Sequence, residues 1–152
     1  MRYRNITLTL LLAAAPLGAD DDRVVPEAEY DQARQDQRAG PGETHGIRHV
    51  RALGSVPLDR DFDALRGHEL RAREIVIEPG GQVAVHEHDA RPGVAYILEG
   101  TLTEYRGPDN RPLVRGVGAV SFEQTGVVHW WRNETAAPAR ALVVDIVPVA
   151  AE

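Results

Sequence analysis

The chain has 152 residues, 17 basic side chains against 23 acidic ones, and no cysteine. That length suits one domain with a proper core and is short for two. The acidic balance disfavours nucleic acid and anionic lipid as partners, and the lack of cysteine excludes disulfides and thiolate ligands, so any metal must be held by nitrogen and oxygen.

Taken in order, Met1 to Ala19 has the layout of a secretory signal peptide. Arg2 and Arg4 make a basic start, Ile6 to Ala15 is apolar apart from Thr7 and Thr9, and small residues surround Gly18 and Ala19 before Asp20, Asp21 and Asp22. The apolar run is well short of the ~20 residues a membrane-spanning helix needs. Leu17 is large for the −3 position of the cleavage site. Cleavage after Ala19 removes Arg2 and Arg4, leaving 15 basic side chains against 23 acidic ones, a formal charge of −8. The expectation is a secreted or periplasmic protein, with no membrane attachment after cleavage and no nucleic-acid partner. Tyr3 separates the two arginines, so the signal is not of the twin-arginine kind, and the chain would take its metal outside the cytoplasm.

Residues 20–45 form a polar, acidic segment. Pro26 to Arg38 has Pro near a helix start but almost no apolar face, so a tether or a loosely docked helix is expected. Gly40, Pro41 and Gly42 close it.

From Gly46 the texture changes to short apolar runs punctuated by Gly, Pro, Asp and Asn, and residues 46–150 read as the folded domain. Strands are predicted over 46–53, 70–78, 82–88, 94–99, 101–106, 112–115, 119–122, 127–133 and 140–147. Asp59 to Gly67 reads as a loop or single helical turn, and Pro79-Gly80-Gly81 as a turn. About nine short strands with turn signals every eight to twelve residues predict an all-β barrel or sandwich.

Within this pattern His86 and His88 stand at i and i+2 on a strand, so both face one side, about 7 Å apart along the backbone. His129 lies on a later strand. The surrounding residues resemble the two sequence motifs of the cupin family. The first runs Gly, five residues, His-x-His, three or four residues, Glu, six residues, Gly; Gly80, His86, His88 and Gly100 match it, while Gly93 stands at the Glu position. The second runs Gly, five residues, Pro-x-Gly, two residues, His, three residues, Asn; Gly118, Gly126, His129 and Asn133 match, with Gln124 in place of Pro. The resemblance covers about residues 70–147. It implies a cupin jelly-roll β-barrel of antiparallel strands and a divalent metal ion (iron, manganese, zinc, nickel or copper) held by His86, His88 and His129. Without a metal, the alternative is three hydrogen-bonded core imidazoles.

Gly93 is the departure that matters, since glycine offers nothing to a metal. Three neutral imidazoles leave the 2+ charge uncompensated and coordination positions open, which suits a bidentate anion such as an enolate, carboxylate or catecholate. Three-histidine cupins include iron dioxygenases. Among carboxylates that could compensate, Glu99 lies about 20 Å along an extended strand, and Glu87 should point away from its flanking histidines. Glu104 returns toward the site if the strands pair about Gly100, as a ligand or acid/base group, the alternative being a solvated strand position.

Alternation places Trp131 beside His129 and puts Ala95 and Ile97 on the inner face with Gly93, making an apolar wall. Trp130 then packs elsewhere. Asn133 either bonds within the pocket or caps the strand end. Arg91, at the mouth, either holds a substrate carboxylate in bidentate fashion or is exposed or paired with Asp89. His45, His49 and His68 lack ligand spacing and are expected at the surface. The leading functional expectation is a small metalloenzyme, a dioxygenase-type oxidoreductase acting on a small anionic or oxygenated ligand. The alternatives are a non-catalytic module that captures a small molecule or the metal itself, and a metal-free structural cupin. Resemblance to the family also suggests a homodimer.

Overall fold

Antiparallel strand pairing organises the chain from His45 onward. The structure, a computed structural model, describes residues 24–36 and 38–149; the signal-peptide reading of residues 1–19 lies outside them. A helix α1 (Glu27–Gln35) precedes the strands β1 (His45–Pro57), β2 (His68–Glu87), β3 (Gly93–Glu99) and β4 (Thr101–Arg106). β5 (Arg111–Gly116), β6 (Val120–Glu123), β7 (Val128–Arg132) and β8 (Ala139–Pro148) follow. The segment expected as a loop or helical turn contains a single 3-10 turn at Asp63–Leu65.

The strands form one antiparallel sheet in the order β5-β4-β7-β2-β8-β3-β6, with β1 added alongside β2. Nine strands were predicted, and the described residues contain eight because the two around Pro79 are one. Pro79 has no N–H to give the ladder and Gly80 takes φ +75°, a left-handed conformation that suits glycine. The chain is therefore kinked without being reversed. Its first half pairs with β8, from His68↔Pro148 to Ile77↔Ala139, and its second half with β7, from Gln82↔Arg132 to Glu87↔Val128. β1 bridges the kink, pairing His45 with Gln82 and Ile47 with Ile77.

The sheet curls into a nearly closed barrel. Ile75, Ile77, Val83, Ala95, Ile97 and Trp131 are among the buried side chains that fill its interior, the larger of them each contributing roughly 1.5–3 kcal/mol by leaving water. The seam between β4/β5 and β6 is closed by side chains. Arg106 donates to Phe122 O at 2.7 Å, Arg115 to Val120 O at 3.4 Å, and Ser121 Oγ to Glu104 Oε1 at 2.9 Å. Two edges that would otherwise expose free carbonyls are thereby tied together.

The segment expected as a tether or loosely docked helix is firmly packed. Val25, Tyr30 and Ala33 are buried, and α1 lies against β2. Its apolar face is as small as the sequence suggested, and polar contacts complete the docking. Tyr30 and Thr44 hydroxyls bond at 2.8 Å, and Glu29 clasps Arg91 through two bonds of 2.7 and 2.6 Å.

Candidate metal centre

Register brings the histidines together. His86 on β2 sits directly across from His129 on β7. His88, just past the end of β2, extends the same ladder by donating its N–H to Val127 O at 3.1 Å. All three rings are buried, and their Nε2 atoms converge: His88 to His129 at 2.9 Å, and His129 to His86 at 3.1 Å.

The opposite ring nitrogens define the tautomers. His86 Nδ1 lies 2.8 Å from Ala84 O, His88 Nδ1 3.1 Å from Arg91 O, and His129 Nδ1 2.8 Å from the Glu104 carboxylate. Each partner only accepts, so each Nδ1 carries a proton, and in the neutral form of each ring Nε2 presents a lone pair. Three lone pairs then face one another with no hydrogen between them. That arrangement repels itself unless a cation sits among them, and carbonyl or carboxylate support behind each imidazole is the usual second layer of a metal site. Nitrogens about 2.1 Å from a common ion and at right angles to each other are about 3.0 Å apart, which the observed spacings match. The residues fit a divalent metal ion.

Electrostatics keeps the donors ready. Burial pushes the His86 ring well below the ordinary imidazole range, aided by its two histidine neighbours. Burial and then the Arg91 charge lower His88 to about 2. Burial opposes the Glu104 charge, but bonds from His129, Arg115 and Ser121 outweigh it and hold the carboxyl down at about 2. A neutral His86 and His88 and an ionised Glu104 are protonation states that suit a metal.

The other expected site residues divide. Ala95 and Ile97 are buried and line a cavity with Trp131, whose ring meets His129 edge to face at a centroid distance of 5.6 Å. The cavity, about 40 Å³, runs from His86 to Val24 and Val25 of the N-terminal segment and admits a few water-sized groups. Trp130 packs elsewhere, stacked 3.9 Å over Tyr105 and donating to Asn110 Oδ1.

Arg91 and Glu104 stand differently from the expectation, and Asn133 takes the second of its two expected roles, at the strand end. Arg91 is neither exposed at the mouth nor paired with Asp89. It is buried, its guanidinium held by Glu29 and, at 2.9 Å, by Asp145 Oδ2, leaving its fork already filled. Asn133 does not bond within the pocket. It is fully buried, donating to Ile77 O and Ala137 O and accepting from Thr135, so it ties the loop after β7 to β2. Glu104 is no solvated position. It contacts His129 from the Nδ1 side, and its oxygens also take bonds from Arg106, Arg115 and Ser121, which makes it the brace of the ring. Glu87 points away from the histidines, to Arg38 at 2.7 Å.

Glu123 was not anticipated. It ends β6, is buried, and places one oxygen 3.7 Å from His88 Nε2 and the other 3.7 Å from His129 Nε2. The predicted strand stopped at Phe122, one residue short. Ser121 and Glu123 face inward and Phe122 is exposed, so hydrophobicity alone misjudges the faces of this strand.

Residues 73–145 match the family model described as "Cupin domain". The fold is shared with the Cupin 2 domain of an XRE family transcriptional regulator from Enterobacter cloacae. That likeness has 14% identity, 68% of this chain, 99% of that one and a TM-score of 0.50. It is also shared with a Cupin 2 conserved barrel domain protein from Salinispora arenicola, at 15% identity, 68% and 80% coverage and a TM-score of 0.50. The protein TT1209 from Thermus thermophilus is 27% identical over 66% of this chain and 86% of that one, with a TM-score of 0.47. No curated protein matches the chain. Residues 73–145 thus carry a cupin domain, within a single small domain of the cupin jelly-roll fold. Its three-histidine group is compatible with metal binding.

Proposed function

We propose that this cupin is an exported, metal-dependent enzyme of the dioxygenase type, acting on a small molecule with an anionic or oxygenated end. The observation that carries the reading is the convergence of three Nε2 atoms beside an apolar cavity. His86, His88 and His129 would hold the ion. A divalent metal there supplies Lewis acidity toward a bound anion and, if it is iron, access to oxygen chemistry. The chain's own residues do the rest. Glu104 fixes the His129 ring, Trp131, Ala95 and Ile97 exclude water, and Val24 and Val25 narrow the entrance. Because Arg91 is already clasped by Glu29 and Asp145, the anionic end of the substrate belongs on the metal. The small cavity restricts substrates to a few heavy atoms unless the N-terminal segment yields.

The second reading, capture of a small ligand or metal without turnover, is favoured by one observation. Arg91 and Glu104 are both consumed in internal ion pairs and are not available to a substrate. Oxygen uptake by the ferrous protein with catechol, enolisable ketone and 2-oxo acid probes separates the two. Uptake dependent on His86 supports the enzyme; tight metal binding with no uptake from any probe class supports the binding module. Export is part of the proposal, and periplasmic material should begin at Asp20. A homodimer is proposed through the exposed apolar face of β3 and β6 around Tyr96 and Phe122.

A further inference from the structure

The geometry points to Glu123 as a fourth metal ligand, restoring from the neighbouring strand the carboxylate that is absent at position 93. This rests on the reading that His86, His88 and His129 hold a divalent ion.

Position 93 has no room for a side chain. A Cβ added to Gly93 would lie 3.0 Å from Asp145 Cα and 2.6 Å from Val144 O, the latter closer than real Cβ atoms approach. The strand β8 approaches this tightly because Asp145 is drawn inward by Arg71, Arg73 and Arg91, with bonds of 2.8 to 3.2 Å. A glutamate on β3 is therefore incompatible with this barrel. The residue paired with Gly93 across the β3–β6 ladder is Glu123. Its side chain lines the interior cavity together with His86, Arg91 and Trp131.

The carboxylate straddles the edge between two of the donors, each oxygen 3.7 Å from a different Nε2. Among the described residues no hydrogen bond holds either oxygen, unlike Glu104, whose oxygens are fully engaged. A movement of under about 1 Å, within the reach of three side-chain torsions, brings one oxygen to the ~3.0 Å separation of neighbouring ligands around one ion. One negative charge on the cation then replaces an uncompensated 2+ in a buried site.

The test is cobalt(II) binding to the metal-free full-length protein and its Glu123→Gln variant, followed by titration and by the visible ligand-field spectrum. The wild type should bind one equivalent, and E123Q should bind at least about ten-fold more weakly with a displaced band, while its far-UV circular dichroism and metal-free melting stay close to wild type. A folded E123Q with unchanged affinity and spectrum overturns the proposal and leaves the three-histidine site standing. A wild type that binds no cobalt or zinc overturns both. A crystal structure of the zinc-loaded wild type needs no variant. A Glu123 oxygen within about 2.0–2.2 Å of the ion supports the assignment, and one beyond about 3.5 Å, with no contact to the metal, overturns it.

Discussion

Glu104 shows how one side chain serves two jobs. It accepts from His129 Nδ1 at 2.8 Å and from Arg115 at 2.7 Å, so it aims a donor at the metal position and also closes the barrel seam. Replacing it by glutamine removes the charge but nearly keeps the shape. Glu104→Gln should weaken zinc binding roughly ten- to hundred-fold and cost about 2 kcal/mol through Arg106 and Arg115. Calorimetric titration and urea denaturation read the two effects separately. If affinity stays at the wild-type level, Glu104 does not orient His129. The histidines were legible because His-x-His on a strand and a later His match a motif whose spacing register must respect. Glu104's part was legible only as a role to be decided, since which atom it touches depends on the β4–β7 pairing of Glu104 with Trp131 and Arg106 with His129. Arg91 was misplaced because its partners, Glu29 and Asp145, lie 62 and 54 residues away in sequence.

Among the elements, α1 is the least expected. Composition suggested a tether or a loosely docked helix, because Glu, Gln, Asp and Arg dominate Glu27–Gln35; the firmness of its docking is what was not foreseen. Two buried helix residues, Tyr30 and Ala33, with Val25 just before them and one clasped ion pair, are enough when the partner surface is a ready-made barrel mouth. The Glu29–Arg91 clasp is mostly out of solvent, at 14% and 4% side-chain exposure, so its loss leaves a buried cation with Asp145 alone. Glu29→Ala should loosen α1. Trypsin cleavage at Arg34 or Arg38 and removal of metal by a chelator should both accelerate, by roughly five-fold or more, as local opening becomes easier. Equilibrium metal affinity should change far less, because Glu29 touches no ligand. Unaltered rates for both processes would show that the clasp does not gate the site. The strand pattern itself was legible from alternation, apart from the kinked β2. No local signal distinguishes a Pro-Gly-Gly reversal from a Pro-Gly-Gly kink; only the long β1 spanning it decides.

For the molecule as a whole, the interior carries an unusual load of ionisable groups whose protonation is tied to folding. In the metal-free protein His86 and His88 stay neutral where the unfolded chain protonates them. Their contribution is therefore complete above about pH 6.5 and is lost as pH falls, down to about 2 for His88. Burial raises Asp145, but the surrounding arginines outweigh it and leave its carboxyl lowered. Like Glu104, it adds stability that disappears as pH falls below about 4. Urea midpoints measured from pH 8 to 4 should decline from near 6.5 downward, and a flat profile would contradict the assigned protonation states. The most direct measurement of the central claim is the metal content of the purified protein beside its His86→Ala and His129→Ala variants. About one equivalent of a single divalent metal is expected in the wild type, lost in both variants while they remain folded. A wild type that holds no metal, even after incubation with ferrous, manganous, zinc, nickel and cupric ions, would contradict it.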